Sequence, residues 1–309
     1  MTTIAASTIT IDEAITKFHD HLTSLRHPLL TVTTYLKDIK YWRAWLKNNS
    51  IITKVSDLTR DDLTDYLTHL SKEAPGRPYI NSNEVGISAN TLKKKLAALK
   101  KFAIFLVEAE YLDINITIGI KSPRVPKKEP AFLNQQEYKS LLYEAQRREK
   151  PRDYALLMTF LQCGLRESEM VKLTLPDVDL DKPELRLTGR KGGVDTDIPL
   201  PTPAVEALKK WLAVRTQVDH DRVFISKTGR PLDERAIRYI VRYYMNKAGI
   251  RKQASTHTLR HSFAAWKSAK NVDLKTLQYW MGHKRPETTL QYLHLVKKRA
   301  PELMEQTAL

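Results

Sequence analysis

Between His257 and Tyr292 the chain reads HTLRHSFAAWKSAKNVDLKTLQYWMGHKRPETTLQY. It sets out an imidazole (His257), a guanidinium three residues on (Arg260), a second imidazole behind a glycine (His283) and a phenol nine residues beyond it (Tyr292). Cations and imidazoles hold a phosphate by its non-bridging oxygens, and a phenol that loses its proton can attack the phosphorus. Such a transfer needs a nucleophile, positive donors for two oxygens, a group to take the phenol proton and an acid for the departing hydroxyl. Arginine suits the second task because its planar fork offers paired donors and stays charged. Imidazole suits proton handling because it donates or accepts near neutral pH. Each residue also has a plainer reading. A tyrosine on an amphipathic helix usually packs a core, a helical arginine usually forms a surface ion pair, and a histidine usually packs or caps. His257 and His261 lie four apart, the spacing of two helical zinc ligands, but no glutamate follows His257 and no third ligand is near, so no metal is expected. His261 and His294 read as structural.

The elements that must position these groups follow from periodicity. Ile11, Ile15, Phe18, Leu22 and Leu25 form one helical face over residues 11–25, ended by His27-Pro28. A second helix carries Val32, Tyr35, Ile39, Trp42 and Leu46, and a third starts near Thr59 with a Thr59–Asp62 capping box and buries Leu63, Tyr66, Leu67 and Leu70. The stretch KEAPGRPYINSNEVGIS has no period and reads as a loop. A fourth helix, capped by Ser88 or Asn90, turns Leu92, Leu96, Leu99, Phe102 and Leu106 inward and Lys93, Lys94, Lys95, Lys100 and Lys101 outward. That run is a solvated helix face or a phosphate-tracking surface. KSPRVPKKEP, residues 121–130, denies helix and central strand with three prolines and stays wet with Lys121, Arg124, Lys127 and Lys128; it reads as a domain linker. Beyond it, Asn134 and Glu137 repeat the capping-box pattern, an apolar helix runs from Asp153 to Cys163 and stops at Gly164, and Arg166 opens another. Residues 184–200 read as a β-hairpin turning at Gly192-Gly193 with Lys191 at its tip, where a mobile ammonium can reach a leaving oxygen. Arg190 competes with Lys191 for that task. Amphipathic helices follow at 203–216 and 233–248, and three more begin near His257, Leu274 and Pro286.

The chain has 309 residues, 42% of them hydrophobic, which is comfortable for two domains. A net charge of +16 and a pI near 9.7 point to a polyanionic partner. The apolar runs are too short to span a bilayer, and the N-terminus lacks the basic-then-apolar order of a secretory signal, so no membrane association is expected. Cys163, the only cysteine, permits no intramolecular disulfide and suits a reducing cytoplasm. GRKGG lacks the Gly-Lys-Ser/Thr ending of a phosphate-cradling loop, so no nucleotide cofactor is expected.

Taken together, Gly-Leu-Arg-x-Ser-Glu at 164–169, His257-x-x-Arg260, Gly282-His283 and TTLQY ending at Tyr292 resemble the signature of the tyrosine recombinases, the phage-integrase and Xer-like DNA strand-exchange enzymes. Met281 stands where leucine is usual before Gly-His, and Asn115 is followed by Ile116 rather than proline. The resemblance implies a mainly α, two-domain DNA clamp with a small β-hairpin or sheet. Its parts would be a helical core-binding domain (1–118), a basic proline-rich linker (119–131) and a mixed α+β catalytic domain with a C-terminal tail (132–309). It implies that Tyr292 is the nucleophile, Arg166 and Arg260 the oxyanion clamps, Glu169 the support of Arg166, Lys191 the general acid, and His257 and His283 the phosphate donors and proton handlers. Lys93, Lys94, Lys95, Lys100, Lys101, Lys121, Arg124, Lys127, Lys128 and Arg190 are the candidate DNA contacts. The implied activity is metal- and ATP-independent site-specific recombination of double-stranded DNA through a 3′-phosphotyrosyl intermediate and a Holliday junction. The assembly would be a tetramer on two duplexes, with the tail from Pro301 to Leu309 packing in trans. A type IB topoisomerase-like enzyme and a non-catalytic basic DNA-binding regulator are the alternatives. The few residues ahead of Ile11 favour a simple Xer-like system without an arm-site domain.

Overall fold

In the computed structural model, residues 9–74, 86–126, 130–190, 195–252 and 255–292 are described, and the chain divides into two units, Met1–Lys127 and Lys128–Leu309. Among its described residues the first is built from four helices, three of them started by a side-chain cap. Helix α1 (Ile11–Ser24) opens where Thr10 accepts the Glu13 amide and the Glu13 carboxylate takes the Thr10 amide in return. Pro28 starts α2 (Leu29–Asn49), a Thr59–Asp62 box starts α3 (Arg60–Lys72), and Ser88 starts α4 (Ala89–Glu108). The apolar faces meet in one core around Phe18, Trp42, Leu46, Leu63, Phe102 and Leu106, with the Phe18 and Phe102 rings edge to face at 5.3 Å.

Two expectations for this unit change. Leu25 is 56% exposed, because α1 ends at Ser24 and Leu25 is already its C-cap. The outward row of lysines on α4 is also incomplete. Lys95 pairs with Asp38 at 2.9 Å over the face of Tyr41, and Lys100 donates to the Ile120 carbonyl at 2.7 Å. Each therefore uses a donor within the fold and is partly buried, whereas Lys93 and Lys94 are exposed. Lys121 and Arg124 are exposed in a stretch without helix or strand; Lys127 and Lys128 lie outside the described residues, as does most of the loop read at 73–89.

The second unit is organised around α6 (Pro151–Cys163), which follows α5 (Gln135–Arg147) and is apolar on nearly every side. It packs against α5, α8 (Thr202–Val214) and α10 (Thr256–Ala269). Between α6 and α8 come a short α7 (Glu167–Lys172) and a three-stranded antiparallel sheet, β1 (Val178–Asp179), β2 (Glu184–Leu187) and β3 (Thr196–Pro199), in that order. Leu185 pairs with Ile198, both pointing into the core, so the two strands of the hairpin share one buried face. Strand β1 adds an edge that two residues of sequence pattern do not announce. The hairpin tip, with Lys191 and Gly192-Gly193, lies outside the described residues. Helices α9 (Glu234–Lys247), α11 (Leu274–Met281) and α12 (Glu287–Leu290) complete the unit. Among the described residues no helix is long and apolar enough to cross a membrane, and no cluster of metal-ligating side chains occurs.

Gly164 marks where the core hands over to the site. It ends α6 at φ +64°, and a Cβ there would meet the Phe263 ring at 2.3 Å. Gly164→Ala is expected to cost about 1–3 kcal/mol, combining a left-handed backbone with overpacking; the midpoint of urea unfolding measures it.

Candidate active site

The turn after Gly164 makes Arg166 the N-cap of α7, and this brings Glu169 back onto it. The Glu169 carboxylate accepts the Arg166 amide and Nη1, both at 2.7 Å. From the end of β2, Arg190 reaches the same carboxylate with Nε at 2.9 Å and Nη2 at 3.2 Å. Arg260, on α10, lies 3.8 Å from it. One carboxylate thus gathers three guanidinium groups. Burial alone would raise the Glu169 carboxyl, but the hydrogen bonds and charges of Arg190 and Arg166 outweigh it and hold it below the usual range.

Backbone carbonyls fix the other ends of the forks. Arg166 Nη2 donates to Gly282 O at 2.5 Å, Arg190 Nη1 to Trp280 O at 3.0 Å, and Arg260 donates to Gly164 O at 2.6 Å and to Met281 O. Trp280, Met281 and Gly282 end α11, so the last carbonyls of that helix, its negative pole, are bound by cations. Gly282 takes φ +56°, and Arg190 lies where its Cβ would be. Arg166 and Arg260 each use two of their five N–H groups in hydrogen bonds to the described residues. Burial, with Arg166 and Arg190 nearby, lowers Arg260 to about 9, so it remains a cation at neutral pH.

The histidines and the tyrosine lie beside this cluster. His283 Nδ1 is 2.8 Å from the Thr289 hydroxyl, and burial with Arg260, Arg166 and Arg190 lowers its pKa to about 3. Tyr292 is 1% exposed, packed with Phe263, Ala264, Leu277 and Met281, and burial raises its phenol to about 12. Its hydroxyl meets His261 Nδ1 at 2.5 Å. Burial, with His257 and Arg260, lowers His261 to about 4, so at neutral pH an uncharged imidazole shares this hydrogen bond with an un-ionised phenol.

Depressed histidines give the fold a pH dependence. In the unfolded chain both titrate near 6.5, so between that pH and their folded values the unfolded state binds more protons. Stability is therefore expected to be full above about pH 6.5 and to fall as pH drops toward about 4, before most carboxylates protonate. Thermal melting between pH 7.5 and 5 reads this, and His261→Phe should flatten the slope.

Arg166, Glu169, Arg260, His283 and Tyr292 thus share one region of the second unit. His257 is on the exposed side of α10, its ring 6.5 Å from that of His261. Lys191, His294 and the tail from Pro301 are outside the described residues. Arg190 differs from expectation. Its side chain is 1% exposed and locked between Glu169 and Trp280 O, so it is a strut of the cluster and neither a surface DNA contact nor a mobile acid. His261, expected to be structural, holds the tyrosine by its hydroxyl. The outer face of α9, with Arg235, Tyr239 and Arg242 exposed, is a further basic surface on a helix whose period announces only its apolar face.

The profile described as the phage integrase family matches residues 131–299, and that of the phage integrase N-terminal SAM-like domain matches residues 15–110. The tyrosine recombinase XerC of Pelotomaculum thermopropionicum is 31% identical over 294 residues, covering 90% of this chain and 91% of the relative. The tyrosine recombinase XerD of Halalkalibacterium halodurans is 29% identical, covering 87% and 88%. Among solved structures, the XerH site-specific recombinase bound to difH substrate in a pre-cleavage complex superposes with a TM-score of 0.66 at 26% identity, covering 94% of this chain and 82% of that one. A lambda integrase tetramer bound to a Holliday junction shares the fold, with a TM-score of 0.70 at 17% identity over 92% and 80%.

Proposed function

This chain belongs to the phage integrase family and is a site-specific tyrosine recombinase, and from that premise we propose that Tyr292 is its nucleophile and the Glu169-centred arginines its phosphate clamp. The observation that carries the reading is the convergence of Arg166 and Arg260 on one carboxylate and one helix end, in the region that holds His283 and Tyr292. In the reaction the Tyr292 oxygen bonds to the scissile phosphorus as the bond to the 5′ oxygen breaks, leaving a 3′-phosphotyrosyl link and a free 5′-hydroxyl. The phosphodiester energy is conserved, so neither metal nor nucleotide is required. Arg166 and Arg260 stabilise the charge on the non-bridging oxygens; fixed in advance, they need no reorganisation as it develops. The phenol, raised to about 12 beside His261, must leave that imidazole and meet the cations to ionise. His283 donates to the phosphate, His257 shares the proton handling, and Lys191 protonates the departing oxygen.

The substrate is double-stranded DNA carrying a specific site, and strand exchange passes through a Holliday junction in a tetramer on two duplexes, with the C-terminal tail packing in trans. Residues 1–118 form the core-binding domain, 119–131 the linker and 132–309 the catalytic domain. Lys93, Lys94, Lys101, Lys121, Arg124, Lys127 and Lys128, with Arg235, Tyr239 and Arg242 of α9, supply the phosphate contacts, and the protein works in the cytoplasm. The test is to trap the protein on nicked duplexes, digest the adduct and sequence both parts. A 3′ nucleotide on the Tyr292 peptide at one recurring site is expected. Random sites, or relaxation of supercoils without exchange between paired sites, would count against recombination.

A further inference from the structure

We infer that Thr289 is a positioning residue that fixes the proton of His283 on Nε2, the ring nitrogen left to face the phosphate. The inference rests on the reading of His283 as a phosphate donor and goes one step behind it. A neutral imidazole has one donor and one acceptor, and only one of its two tautomers serves an anion. The Thr289 hydroxyl lies 2.8 Å from His283 Nδ1, and Thr289 is fully buried. Among the described residues that imidazole is the hydroxyl's one hydrogen-bond partner. If Nδ1 carried the proton, the threonine O–H would be a buried donor with no acceptor, at the cost of an unmade hydrogen bond. Donation from Thr289 to Nδ1 satisfies both groups and leaves N–H on Nε2.

The surroundings keep the ring in that state. Burial first, and then Arg260, Arg166 and Arg190, disfavour a second proton on His283. The ring is also anchored by its own backbone, since Gln278 Nε2 donates to His283 O at 3.0 Å. The Tyr292 amide donates to Thr289 O at 3.0 Å, so the turn that orients the histidine is the one that carries the tyrosine. His283→Ala, Thr289→Val and Thr289→Ser are to be compared in single-turnover cleavage of nicked duplexes, with nitrogen-15 NMR of the imidazoles in the full chain.

Thr289→Val, which keeps the shape and loses the hydroxyl, is expected to slow cleavage about 10-fold to 100-fold at unchanged DNA affinity. That is less than the whole worth of a positioned acid–base group. Thr289→Ser should restore most of the rate, and the wild-type His283 signals should be those of an Nε2–H imidazole. A Thr289→Val enzyme as fast as wild type beside a dead His283→Ala enzyme would overturn the inference alone. A normal His283→Ala enzyme would overturn the histidine's role and this inference with it. An Nδ1–H tautomer in the wild-type spectrum overturns the inference even where Thr289→Val fails to fold.

Discussion

Tyr292→Phe is expected to abolish covalent protein–DNA adducts on nicked duplexes, a loss on the order of 10⁴-fold or more, while binding to the same duplex stays within about twofold. The asymmetry follows from where the hydroxyl sits. It is enclosed between His261 and the apolar cluster of Phe263, Ala264, Leu277 and Met281, so it adds nothing to a DNA-facing surface. Phenylalanine fills the same volume and gives up one hydrogen bond, worth about 1 kcal/mol, so the variant should fold. Under the proposed reading duplex affinity comes from exposed cations, so it should fall with salt in wild type and variant alike. A gel-shift titration and a denaturing gel on the same samples read the two quantities separately. Adducts that persist in the variant would move the nucleophile elsewhere, and with it the assignment of the whole site.

Much of this was legible because the relevant signals are local. Capping boxes at Thr59 and Asn134, the stop at Gly164 and the alternation of Leu185 and Leu187 are written within a few residues of where they act. Arg166, Arg260, His283 and Tyr292 stood out by short spacings that the fold then gathered. Arg190 could not be read that way. Its role depends on Glu169, 21 residues earlier, and on a carbonyl 90 residues later, and neither distance leaves a trace in composition or period. A charged residue beside a predicted turn looks solvated until the fold buries it. Lys95 and Lys100 differ from expectation for the related reason that a helical period says which face is apolar, not which lysine at the boundary finds Asp38 or a carbonyl. The contact of His261 with Tyr292 spans 31 residues, too far for a helical period to show.

Glu169→Ala is expected to cost about 3–5 kcal/mol of stability, the penalty for removing one partner from a buried ion cluster. Arg190 suffers most: its side chain is 1% exposed, and without the carboxylate its Nε and Nη2 have no acceptor. Arg166 and Arg260 would repel one another across the vacated space, so the clamp should open and cleavage fail even in molecules that remain folded. Glu169→Gln separates charge from shape. It retains an acceptor for one or two N–H groups but not the negative charge, and should fall between wild type and alanine in denaturant midpoint while losing most cleavage. The pH response gives a second check. The Glu169 carboxyl is held low in the fold, so its contribution is complete above the unfolded value near 4.5 and is lost only as pH falls further. Wild type should therefore lose stability in two stages on acidification, the histidines first and this carboxylate after, and Glu169→Gln should lack the second. A double-mutant cycle of Glu169→Gln with Arg190→Met should give a coupling of about 1–3 kcal/mol. Additive losses would mean that the carboxylate and this arginine act independently and that the clamp is held by the α11 carbonyls alone.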